Sequence, residues 1–173
     1  AKIYAQTGKT KEAEKLLRSL VDSEPNDVQP KLLLLDFLTA TAKEKVVNQF
    51  YQFTEKHKDQ PRLLLQLANW MIARRNFEEA KLALNRVIEL EEDSNVGLSA
   101  KTLLAKIAFD NKEFEESQKI VKEILDANSS YDDAKVLQAR LLLVKDQYDE
   151  AITLLNKVIW SKEDSEEAQL LLG

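Results

Sequence analysis

Several stretches of the chain share one order of polar and apolar positions. The clearest begins Asn76-Phe77-Glu78-Glu79-Ala80 and continues with apolar residues at Leu84, Val87 and Ile88. Apolar residues recurring at intervals of three and four lay one apolar stripe along a helix. Asn76 suits an N-cap and Glu79 stands three residues on, as in a capping box. The two acids of the first turn face the positive end of the helix dipole. Glu113-Phe114-Glu115-Glu116-Ser117 leads likewise into Val121, Ile124 and Leu125, and Gln147-Tyr148-Asp149-Glu150-Ala151 into Leu155, Val158 and Ile159. Lys9-Thr10-Lys11-Glu12-Ala13 leads into Leu17, Leu20 and Val21, and a degraded copy fits Val46, Phe50 and Phe53. The matching residues Ala13, Val46, Ala80, Ser117 and Ala151 are 33, 34, 37 and 34 apart. A period near 34 predicts a stack of helix pairs, in which each pair buries its apolar face on its neighbours.

A second set of helices lies between these copies. Its small or apolar pairs are Ala1/Tyr4, Leu34/Phe37, Ala68/Met71, Ala105/Ala108 and Ala139/Leu142, at the same intervals. Small residues there let two helices approach closely. The expected first helices cover 28–41, 61–74, 95–110 and 131–145, and their partners 10–23, 43–57, 77–90, 114–127 and 148–161. A helix tail at 1–7 ends at Gly8, and a further helix opens near 164. Pro25 and Pro61 punctuate two of the turns, and the longer turn from Glu91 to Asn95 accounts for the interval of 37. The expected organisation is one all-α segment over 1–173. It comprises a partial repeat at 1–26, repeats at about 27–60, 61–94, 98–131 and 132–164, and the start of another at 165–173. Such a chain reads as cut from a longer protein, with exposed ends that associate end to end at high concentration.

Composition narrows the chemistry. A net charge of −5 and a pI near 5.1 weigh against a nucleic-acid surface, which needs clustered Lys and Arg. With 3 Gly and 3 Pro there is little room for phosphate-cradling loops, and no cysteine is present for a thiolate zinc site or nucleophile. No run of about 18 apolar residues exists to span a membrane. The compartment, cytoplasm or periplasm, stays open.

Nothing points to catalysis or a cofactor. The single histidine, His57, is flanked by lysines near a helix end and reads as a solvated surface residue. The acid clusters Glu91-Glu92-Asp93 and Asp132-Asp133 fall at turns and helix starts, where acids suit the dipole without any metal. Trp70 aligns with Ile3, Phe37, Ile107 and Leu141, which argues for packing. Trp160, at a helix end, reads either as cover for the next turn or as a contact residue.

The residues Ala68, Met71, Phe77, Ala80, Leu84 and Val87 form the best copy. Ala105, Phe114 and Val121, then Ala139, Tyr148, Ala151 and Leu155, form the next two, while Gly8, Ala13 and Pro25 fit the first. In these residues the chain resembles the tetratricopeptide repeat family over essentially its whole length. It departs from the pattern between the helices of its second repeat, which lacks the usual Gly and aromatic, and at Arg75 and Asp146, which stand near the family's Gly. The resemblance implies a right-handed superhelical solenoid of antiparallel helix pairs, whose first helices line a concave face that commonly holds a peptide or helix of a partner.

Mapped on that basis, the inward positions start at Lys2, Leu35, Asn69, Lys106 and Arg140, surrounded by Leu65, Ile72, Thr102, Phe109, Val136 and Leu143. Asn69, Lys106 and Arg140 between apolar neighbours suit peptide backbone and an acidic side chain or terminus. The two-carboxylate clamp of the family's chaperone-binding members fits only at Asn69; Leu65, Leu103, Asp133 and Leu137 stand at its other places, so chaperone-tail binding is not expected. The reading favoured is a non-catalytic scaffold for a protein or peptide partner. Its rivals are a spacer in a larger exported assembly or polysaccharide-secretion protein, and a segment that presents substrates to an enzyme.

Overall fold

The computed structural model describes residues 10–92, 94–161 and 169–171. Among them the chain is helical throughout, and α-helices alternate with short turns: α1 Thr10–Ser23, α2 Gln29–Thr41, α3 Val46–Lys56, α4 Pro61–Ile72, α5 Phe77–Glu91, α6 Asn95–Asp110, α7 Phe114–Ala127, α8 Asp132–Val144 and α9 Tyr148–Ser161. A short 3₁₀ helix, Lys43–Lys45, precedes α3. The helices expected from the pattern are present, with ends shifted by no more than three residues. The expected tail at 1–7 and the expected turn after α9 lie outside the described residues.

The chain divides into two units, Ala1–Glu91 and Glu92–Gly173. In the first, α1 packs on α2, α2 on α3, α3 on α4 and α4 on α5. In the second, α6 packs on α7, α7 on α8, α8 on α9, and α6 also reaches α8. The core of the second unit is layered accordingly. Leu98, Ile124 and Ala134 form one cluster; Ala105, Val121, Leu137 and Leu141 the next; and Val136, Ala139, Ala151, Leu155 and Val158 the third. Ser117 stands where two other copies have Ala80 and Ala151. It is fully buried, and its hydroxyl donates to the Ala105 carbonyl at 2.9 Å, so the extra polar atom is satisfied.

Three turns within helix pairs are built alike. Arg75, Lys112 and Asp146 have φ of 59°, 66° and 58°. After each, an amide reaches back to close the helix: Asn76 N–H to Met71 O, Glu113 N–H to Ala108 O and Gln147 N–H to Leu142 O, at 3.1, 2.8 and 3.0 Å. This is the Schellman arrangement, whose left-handed residue is most easily a glycine. Here an arginine, a lysine and an aspartate hold it.

The second repeat turns differently. Ala42 has φ −157°, its N–H bonds to Leu38 O at 2.8 Å, and the chain passes straight into the 3₁₀ turn. The connection is one residue shorter: eight positions separate Leu38 from Val46, whereas nine separate Met71 from Ala80, Ala108 from Ser117 and Leu142 from Ala151. This corrects the register expected for α2. Its buried set Leu34, Leu35, Phe37 and Leu38 matches Leu67, Ala68, Trp70 and Met71 of α4, so the helix-contact pair is Leu35/Leu38 rather than Leu34/Phe37.

Candidate functional site

The register shift changes which residue of α2 corresponds to Asn69 of α4. Leu35 is 0% exposed and occupies the slot of Ala68, so it lies in the core rather than on an open face. The residue that corresponds to Asn69, Lys106 and Arg140 is Asp36, which is exposed. Lys2 lies outside the described residues.

In the first unit, Asp36 is tied to the next repeat. Its Oδ1 accepts from the Trp70 indole N–H at 3.0 Å and from the Arg74 guanidinium. Arg74 lies 3.7 Å from the centre of the Trp70 ring, and its Nη1 donates to the Trp70 carbonyl at 3.1 Å. An arginine stacked and hydrogen-bonded in this way is held in one orientation. Trp70 is 8% exposed, so it packs as expected, and it also carries a polar contact that composition alone does not reveal. Next to Trp70 on α4, Asn69 is exposed and its side-chain amide donates to Leu65 O at 3.1 Å. Leu65 and Ile72 are half-buried beside it.

In the second unit, the Arg140 guanidinium lies 4.3 Å from the centre of the Phe109 ring and 4.0 Å from Asp110 Oδ1. Phe109 in turn meets Phe114 edge to face, with centroids 5.4 Å apart. Lys106 and Leu143 are half-buried. Thr102 and Val136 are placed otherwise. Both are buried, and the Thr102 hydroxyl bonds back to Leu98 O at 2.8 Å, so they contribute packing and not contact surface.

His57 is not a surface residue. It is 4% exposed, and neither ring nitrogen has a hydrogen-bond partner. Lysines beside it in sequence suggested solvent, but the ring turns under the corner between α3 and α4. Burial lowers its pKa, and the neighbouring charges of Lys31 and Lys56 lower it further. Trp160 is 89% exposed. Among the described residues no three His, Cys, Asp or Glu side chains converge as metal ligands, and no helix is long and apolar enough to cross a membrane.

Paired helices repeating at about 34 residues, with a recurrent turn, define a helical repeat protein. The tetratricopeptide repeat models match residues 62–94 and 108–173, and the chain belongs to that family. None of the curated proteins matches it. Among solved structures it is similar to MamA from Desulfovibrio magneticus RS-1, at 14% identity, with 95% of this chain and 92% of that one covered and a TM-score of 0.60. It is also similar to a kinesin light chain of Podosopora anserina with nearly identical TPR-like repeats, at 17% identity, 95% and 93% coverage and a TM-score of 0.60. Against yeast Tom70 the identity is 19% and the TM-score 0.67, with 98% of this chain matching 36% of that one. These likenesses establish the fold. Repeats of this family are in general non-catalytic interaction modules, and a protein-interaction scaffold is the function class of the chain.

Proposed function

We propose that the first helices within each unit, at Asn69 in the first and at Lys106 and Arg140 in the second, hold an extended peptide or a helix from a partner protein, without catalysis or a cofactor. The observation that carries this reading is Arg140. Its charged group lies over the Phe109 ring beside Asp110, with Lys106 on the preceding first helix of the same unit. A pre-oriented guanidinium bordered by apolar Phe109 and Leu143 suits an acidic side chain or a chain terminus, and fixing it in advance lowers the ordering cost of binding. In the first unit Asn69, with Leu65 and Ile72, offers amide hydrogen bonds to peptide backbone, and exposed Asp36 adds an acceptor to the same row.

The test is capture from an extract of the source cells by wild type and by Asn69→Ala/Lys106→Glu/Arg140→Glu, after circular dichroism shows equal helicity. A protein captured by wild type and lost from the variant supports the row as the binding face. Equal capture moves binding to another face, and no capture by either favours a spacer.

A further inference from the structure

Two corners of the first unit lie side by side. The earlier one, between α1 and α2, is closed by Glu24 N–H to Leu20 O and Asp27 N–H to Glu24 O. The later one, between α3 and α4, is closed by His57 N–H to Phe53 O and Gln60 N–H to His57 O, and the Gln60 carbonyl then starts α4 by accepting from Leu63 and Leu64. The two corners are joined by Gln60 Nε2 donating to Asn26 Oδ1 at 3.2 Å.

Beneath this join lie two buried bases. Lys31, on α2, is 0% exposed and donates its ammonium to the carbonyls of Pro25 and Asp27 at 2.7 and 2.8 Å. It stands where Leu64 stands in the next repeat and where Lys101 and Lys135 stand in the second unit, and among these it is the fully buried lysine. His57 is buried without a partner for either nitrogen. The charges acting on it are Lys31 from α2 and Lys56 from its own helix, both unfavourable to a second positive charge; the Gln60 side chain is the weakest influence and the one that favours protonation. Burial and the charge of Lys56 lower the pKa of Lys31, and Asp27 opposes them. The acids of the later corner are engaged elsewhere: Glu55 accepts from Lys58 at 3.0 Å, and Asp59 from Arg86 of α5 at 3.0 Å, while Arg86 also caps the Lys58 carbonyl.

We propose that this join is an acid-sensitive latch, closed while His57 is neutral and released when the ring takes a proton. A proton added to the buried ring meets an ammonium and no carboxylate, so it is accepted far more readily once the corner has opened to water. The direction follows from linkage. His57 has a lowered pKa when closed and the ordinary value near 6.5 when open. Above 6.5 neither form is protonated and the latch keeps its full strength. Below it the open form binds the proton first, so the closed form loses ground by up to tenfold per pH unit until its own pKa is reached. The join between the two corners therefore loosens in mildly acidic conditions and tightens at neutral pH.

His57 is the only histidine in the sequence, so its ring signals in a proton NMR titration are unambiguous. It should titrate below 6.5, and Lys31→Leu, which installs the residue of the next repeat, should raise that midpoint. Amide exchange at Leu63 and Leu64, corrected for intrinsic rate, should quicken by up to about thirtyfold between pH 7.5 and 5.0. The acceleration should vanish in His57→Phe, which keeps a ring and removes its nitrogens, while the Leu98 amide of the second unit stays unchanged. A midpoint at or above 6.5 in wild type, or acceleration that persists in His57→Phe, overturns the latch.

Discussion

At the scale of single residues, the three turns at Arg75, Lys112 and Asp146 are held by left-handed residues with full side chains. A Cβ in that region costs about 1–2 kcal/mol, and glycine's extra freedom in the unfolded chain returns about 0.5–1 kcal/mol of that. Lys112→Gly should therefore raise the urea midpoint slightly, by a net gain of about 0.5 kcal/mol. Lys112→Val should lower it by more than about 1 kcal/mol, because a branched side chain fits this region worst. Trp70 makes a second residue-level case. Replacing it with Phe keeps most of the buried ring but removes the donor to Asp36, and should cost about 1 kcal/mol, read by denaturant unfolding. In an Asp36→Ala background the same substitution should cost less, and a double-mutant cycle measures the difference.

At the scale of elements, the pattern of α1, α5, α7 and α9 was plain because each carries one apolar stripe and a polar remainder. The helix α2 was not. Its run Leu32-Leu33-Leu34-Leu35-Asp36-Phe37-Leu38 is apolar around nearly every direction, so spacing alone cannot say which leucines face inward. A connection one residue short then moved the true register by one, so that Asp36 and not Leu35 is the exposed residue that matches Asn69. The short turn itself left a trace: the second repeat lacks the aromatic that Phe77, Phe114 and Tyr148 supply after the turn in the later repeats. The burial of His57 left none, since flanking lysines look the same whether a ring points out or folds beneath a corner. The register has a direct test. Leu35→Ala should cost about 2–5 kcal/mol, the amount expected for a buried leucine, whereas Leu33→Ala, at a site 46% exposed, should change stability by less than about 0.5 kcal/mol. Comparable small effects at both would return Leu35 to an open face.

At the scale of the whole molecule, stability in a repeat protein is the sum of local terms, so damage stays near where it is done. The loss caused by Leu35→Ala should appear as faster amide exchange in the first unit before the second. Net charge matters at this scale too. The pI near 5.1 means that the acid range in which His57 takes its proton is also the range in which the chain loses its mutual repulsion, so solubility should fall there in wild type and in His57→Phe alike. The placement of the two tryptophans has a practical consequence. Trp70 is packed under Arg74 in the first unit and Trp160 stands in solvent in the second, 8% and 89% exposed. Unfolding changes the surroundings of the first indole greatly and of the second hardly at all. Emission at long wavelength, open to quenching by acrylamide, belongs to Trp160, and the red shift on melting belongs to Trp70. Fluorescence thus watches one half of the protein while circular dichroism watches both, and any gap between the two melting curves is a direct reading of how separately the halves come apart.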